Sequence, residues 1–309
     1  MIEIIRIREL ALEQASRAGR LPHLSAASGL ICVGPQAYVV ADDELHLGLF
    51  ELGSTGPGRL LQLFPGELPD AAAERKALKP DLETLALLPP MPGFPHGALL
   101  ALGSGSKKNR RKGVLLALGV GGTLHAAPRL IALDNLYRAL EDKVDDLNIE
   151  GAFVNGDQLL LLQRGNKKSR LNALITLPLA QLLPLLRDPA ADIKIRKRDI
   201  VHFDLGKIGD VPLTFTDGAP LPNGDFLFSA VAENTDDSYR DGACLGAVIG
   251  IAALDGTVKF LQPLMQPYKV EGVSTRVDGS DIHLLLVTDA DDPVVPASLL
   301  SARISGYPF

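Results

Sequence analysis

The chain has 309 residues, a formal net charge of −6, 46% hydrophobic and 22% charged residues, two cysteines and no tryptophan. The negative balance gives no general field for nucleic acid, and two cysteines build no disulfide framework. The longest apolar stretch, residues 173–186, is broken by Pro178, Gln181 and Pro184 and is too short for a membrane span. The N-terminus alternates apolar and charged residues without a signal-peptide core, so a cytoplasmic protein is expected.

Residues 2–8 form a β-rich run with no partner nearby in sequence. A phrase then begins and returns: an acidic or small polar residue, usually followed by glycine, opens a strand-like run, a turn and a second run. It opens at Ser28-Gly29, more weakly at Glu83, and then at Glu150-Gly151, Asp217-Gly218 and Glu271-Gly272. Asn155-Gly156-Asp157, Asn223-Gly224-Asp225 and Asp278-Gly279 separate the two runs in the last three copies, a hairpin signal because such turns need positive φ. The spacings between openings are 55, 67, 67 and 54 residues, and 66 from the last opening round to the first. Self-similarity at this period predicts an all-β fold, a β-propeller of five blades, each of four antiparallel strands. A sixth blade would need about 50 residues per blade and an opening the sequence lacks. In the third copy, residues 172–177 and 193–203 supply the outer two strands. The last unit stops after residues 297–304 and lacks a fourth strand, so residues 2–8 are predicted to complete it and close the ring.

Two segments carry helical signals. Leu136, Leu140, Val144 and Leu147 recur at helical spacing, and Leu179–Arg187 is a second short candidate limited by Pro184.

In a meander the start of the inner strand and the end of the second strand lie on one face. Glu83, Glu150, Asp217 and Glu271 are therefore expected at one mouth of the central channel. At ~10 Å and an effective dielectric near 20, each acid pair costs roughly 1.7 kcal/mol, so something must offset the repulsion. A hard divalent cation suits such oxygens, with Ca²⁺ first and Mg²⁺ or Mn²⁺ as alternatives. Glu83, Glu150, Asp217, Glu271 and Asp289 are the candidate ligands. Backbone N–H groups of neighbouring blades, or Arg and Lys partners, would serve equally. The loops joining second to third strands add Lys107 and Lys108 in blade two and Arg164, Asn166, Lys167 and Lys168 in blade three. Such loops can hold a small anionic molecule. The corresponding loops of blades one, four and five are acidic: Asp42-Asp43-Glu44, Glu233 to Asp237, and Asp289 to Asp292.

No His or Cys spacing suggests zinc, and no nucleophile elbow or phosphate-binding loop is present, so no nucleotide cofactor is expected. Gly119-Val-Gly121-Gly122 reads as a turn.

The stretch from Leu147 to Asn166, with Glu150-Gly151 opening an inner strand and Gly156-Asp157 in the turn, resembles propellers of the esterase-like phytase group. More distantly, the Glu-Gly opening is similar to lactonase propellers of the gluconolactonase and senescence-marker type. That resemblance implies a mouth glutamate, Glu150 or Glu271, holding a divalent cation. It implies metal-assisted hydrolysis of a phosphate ester, ester or lactone, with Glu150, Asp217 and Glu271 as the catalytic candidates. A non-catalytic propeller that binds a ligand or a protein partner is the alternative.

Overall fold

The computed structural model describes residues 1–165, 172–234 and 243–309. They form a five-bladed β-propeller. From the channel outward, blade one is Ala27–Val33, Gln36–Ala41, His46–Glu51 and Arg59–Gln62, and blade two is Leu82–Leu88, Ala98–Gly103, Lys112–Ala117 and Arg129–Ala132. Blade three is Ile149–Asn155, Gln158–Gln163, Asn172–Pro178 and Ile200–Phe203. Blade four is Val211–Pro220, Phe226–Asn234, Ala243–Ala252 and Val258–Pro263, with Lys207–Ile208 as a fifth, two-residue strand beside the first. Blade five is Val270–Asp278, Asp281–Thr288 and Ser298–Ile304, with Ile4–Glu9 as its outermost strand. The N-terminal strand runs antiparallel to the C-terminal one, with Ile4 opposite Ala302.

The hairpin glycines explain the joints between first and second strands. Gly34, Gly156, Gly224 and Gly279 all take positive φ, from +56° to +87°, which a residue with a Cβ adopts at a cost. Alternating apolar residues on each sheet then meet the next blade. Five buried apolar clusters occupy the five blade–blade seams. The seam between blades three and four is filled by Phe153, Phe203, Phe215, Phe226 and Phe228, with ring centroids 5.1–6.5 Å apart. These rings provide aromatic bulk in a chain without tryptophan.

The helices Asp134–Glu141 and Leu179–Arg187 lie under the seam of blades two and three, burying Leu136, Tyr137 and Leu140 from one and Leu182, Leu185 and Leu186 from the other. Two outer elements differ from expectation. The fourth strand of blade three is only Ile200–Phe203, because residues 193–196 are irregular and Lys197–Asp199 form a 3₁₀ turn held by Asp199 accepting the Arg196 N–H at 2.8 Å. A third helix, Ala72–Leu78, buries none of its residues, so no apolar stripe announces it. Gly119–Gly122 is a turn, and the Tyr38 hydroxyl donates to the Gly122 carbonyl at 2.6 Å across two blades. Among the described residues, no helix is long and apolar enough to cross a membrane.

Candidate functional site

The inner strand of every blade contains a bulge near its start. Pairing with the second strand skips Ser28, Glu83, Glu150, Thr216 and Glu271. A bulge leaves one residue out of the ladder and re-aims its side chain. The five-fold phrase of the sequence is therefore a five-fold bulge. In blade four its occupant is Thr216. Asp217 stands one residue further along, in register with Gly151 and Gly272, because Asp217-Gly218 looks like Glu150-Gly151 but is shifted by one position. In blades one, two, three and five the inner strand begins one residue before the bulge. In blade four it begins at Val211 and rises as a wall above the mouth.

Most of the mouth acids meet a side-chain cation. Lys79 contacts Asp42 of blade one and lies 2.9 Å from Asp81, whose other oxygen takes Arg110 at 2.6 Å and the Ser104 hydroxyl at 2.5 Å. Arg164 lies 3.3 Å from Glu150, contacts Glu233 on the blade-four wall, and donates from Nε to Thr214 at 3.2 Å. Asn148 donates to the second Glu150 oxygen at 2.6 Å. Lys269 lies 2.6 Å from Asp291, 3.2 Å from Asp289 and 3.5 Å from Glu271. Glu83 is half-buried, and one of its oxygens lies within 4.8 Å of carboxylate oxygens of Asp42 and Asp81. Among the described residues, acids thus outnumber cations around this opening: Asp42, Asp81, Glu83, Glu150, Glu233, Glu271, Asp289 and Asp291 against Lys79, Arg110, Arg164 and Lys269.

Burial and this excess move the carboxyl groups upward. Burial lifts Glu83 well above the ordinary range, with Glu150, Asp81 and Asp42 adding repulsion. Burial raises Glu150, with Arg164 opposing. Burial pushes Glu271 up to about 8 against the pull of Lys269 and Arg164, and Glu150 and Asp289 add to the rise. Glu271 is 5% exposed, and its Oε1, 3.5 Å from Lys269, accepts no hydrogen bond among the described residues. Burial and then the Asp289 charge bring Asp291 to about 7.

These shifts fix the sign of a pH effect. Both groups hold their protons more tightly folded than unfolded, so their contribution to stability is full at low pH and is lost as pH rises through the folded values. The melting temperature is expected to fall between pH 5 and pH 8.5, and Glu271→Gln should flatten that fall. Scanning calorimetry in both proteins checks this; equal slopes would remove Glu271 from the account.

Of the anion-binding candidates, Arg164 spends its guanidinium on Glu150, Glu233 and Thr214. Lys107 and Lys108 lie on the loop after Ala98–Gly103, with Lys108 exposed, while Arg110 of the same loop turns inward to Asp81. Asn166, Lys167, Lys168, Asp236 and Asp237 lie outside the described residues. Lys79, Asp81, Arg110, Glu233, Lys269 and Asp291 were not anticipated as site residues. The alternations Lys79-x-Asp81-x-Glu83 and Lys269-x-Glu271 were the available signal, since residues two apart in extended chain share a side.

Among solved structures similar to this chain are two described as β-propeller domains. The β-propeller domain of Cps50 (Swd1) from Myceliophteria thermophila is 10% identical, with 88% of this chain and 70% of that chain covered and a TM-score of 0.37. The WD40 β-propeller domain of Doa1 is 10% identical, with 91% of this chain and 94% of that chain covered and a TM-score of 0.38. A nidogen/laminin complex gives 11% identity, 86% and 77% coverage and a TM-score of 0.42. No curated protein matches the sequence. Residues 23–304 match a family described only as a family of unknown function, DUF6929, and since this match spans all five blades, the chain belongs to that family.

Proposed function

We propose that the protein binds a divalent cation at the channel mouth, with Glu83, Glu150 and Glu271 as its ligands. Glu271 carries this reading. It is a nearly inaccessible carboxyl group whose Oε1 accepts no hydrogen bond among the described residues, placed by its bulge at the position Glu83 and Glu150 occupy in their own blades. An oxygen-only donor set with surplus negative charge suits Ca²⁺, Mg²⁺ or Mn²⁺. Asp289, 3.2 Å from Lys269, would act as an outer group, and Asp217 lies one residue away from the bulge layer.

A cation held there would polarise a phosphate, ester or lactone oxygen or lower the pKa of a water. This supports metal-assisted hydrolysis as the associated chemistry, in line with the resemblance to phytase-like and lactonase propellers. Lys108, exposed on the blade-two loop, would draw a small anionic substrate toward the face.

The test is calorimetric titration with Ca²⁺, Mg²⁺ and Mn²⁺ at pH 7. At 100 times Kd, ligand stabilises by about 2.7 kcal/mol, which raises Tm by roughly 4 °C in a chain of this size. Glu271→Gln and Glu150→Gln should each abolish the response. Binding should also release protons, because Glu271 must ionise to ligate. A screen of phosphomonoesters, aryl esters and lactones with the cation present then decides between a hydrolase and a binding propeller without catalysis. No heat and no Tm shift with any of the three cations would overturn the proposal.

A further inference from the structure

We propose that the waist of the channel, just below the mouth, is an anion-binding ring of backbone amides, filled in this protein by the carboxylate of Asp217. This is independent of cation binding at the mouth.

The geometry comes from the five bulges. The residue after each bulge is Gly29, Thr84, Gly151, Asp217 or Gly272, and the next is Leu30, Leu85, Ala152, Gly218 or Val273. Gly29, Gly151, Asp217 and Gly272 face the following blade at close range. A methyl group built on Gly272 would stand 3.0 Å from the Leu30 nitrogen, and one on Gly29 would stand 3.0 Å from the Leu85 nitrogen. In blade four the same direction carries a real side chain. Asp217 Oδ2 accepts the Val273 N–H at 2.9 Å. Burial, with the Glu271 charge adding to it, holds the Asp217 carboxyl well above the ordinary range, while the amides of Val273, Gly218 and Ala152, from blades five, four and three, oppose that rise by favouring the ionised form.

Asp217 is 2% exposed, and its Oδ1 is buried with no hydrogen bond of ordinary geometry. The main-chain N–H groups that meet this carboxyl satisfy an anion and offer nothing to an acid proton, and only the Glu271 charge acts the other way. Gly151 makes room for it: a methyl there would lie 2.9 Å from Asp217 Cα and 3.2 Å from Oδ1. Converging main-chain amides form the kind of concavity that takes small anions. The consequence for the mouth is a floor, so ligand would enter and leave by one face.

Two variants test this. Asp217→Gly gives blade four the glycine found at this position in blades one, three and five. It should lower Tm by roughly 10 °C, and sodium formate should recover at least a third of the loss. Formate supplies the missing carboxylate and should not raise the wild-type Tm by as much. Asp217→Asn keeps the shape but turns an N–H₂ or a neutral oxygen toward the donors, and should lose several degrees without formate rescue. If the glycine variant does not fold, the asparagine variant decides alone. An asparagine variant as stable as wild type, or a glycine variant that formate raises no more than wild type, would overturn the proposal.

Discussion

Deleting residues 1–9 is expected to leave a protein that is largely unfolded or aggregated at 37 °C, with any residual Tm lowered by more than about 15 °C. Ile4–Glu9 is the outermost strand of blade five, and its removal uncovers the edge of Ser298–Ile304. Ile2 and Ile4 are buried in the seam of blades four and five, and Ile2 also exchanges main-chain hydrogen bonds with Pro263 and Met265 at 2.9 and 3.0 Å. Burying two isoleucines is worth about 3–6 kcal/mol, and the lost strand pairing adds to that. The sum is comparable to the whole stability of an ordinary domain, about 5–15 kcal/mol. An unpaired edge is also a template for association. Calorimetry and size-exclusion chromatography of the truncated protein check the result. A synthetic peptide of residues 1–12 should restore part of the lost stability. An unchanged Tm would show that the ring holds with three strands in its last blade.

The blade number was legible because its signals are local. Asn-Gly and Asp-Gly turns between alternating apolar runs specify hairpins whatever surrounds them, and the N-terminal run needed only a missing partner at the other end of the chain. The outer strand of blade three was read too long because residues 193–196 are irregular beside their alternation, with Ile193 and Ile195 buried under the nearby helices instead of paired in the sheet. The one-residue offset at Asp217 was invisible for a different reason. A bulge is fixed by pairing with the second strand and by the extended start of blade four, and neither is written in the motif Asp-Gly. That single residue separates a side chain at the mouth from one in the waist below it.

The mouth itself was half legible. Acids at strand starts could be placed on one face from topology alone. Whether the basic residues beside them face solvent or turn inward depends on the neighbouring blade. Arg110 and Arg164 sit in loops that look equally suited to an external anion, yet both find buried carboxylates across or beside a seam. Lys79 and Lys269 do the same from the segments that lead into inner strands. The repulsion expected among the acids is thus divided among several internal cations placed by different blades. Eight acids share four such cations, so the charge of Glu271, whose Lys269 also serves Asp289 and Asp291, is only partly offset.

Arg164→Met is expected to cost about 3–5 kcal/mol at pH 8, a fall in Tm of roughly 5–8 °C. Methionine keeps much of the length and apolar contact of the arginine stem but leaves Glu150 and Glu233 without the cation between them. Removing one partner from a buried ionic cluster is worse than removing all of it, because the remaining charges stay in a poor solvent. The triple variant Arg164→Met, Glu150→Gln, Glu233→Gln should therefore recover most of the loss, since each glutamine can still hydrogen-bond without a charge. The pH dependence follows with a definite sign. Without Arg164, the folded pKa of Glu150, already raised by burial, rises further. A carboxyl raised in the folded state favours folding at low pH and loses that contribution as pH increases through the folded value. The penalty of Arg164→Met should thus be small near pH 5 and largest near pH 8. Chemical denaturation of the single and triple variants at both pH values measures this. An equal loss at pH 5 and pH 8, or a triple variant no better than the single one, would mean that Arg164 stabilises the seam by packing, and that the charges at this mouth are set independently of it.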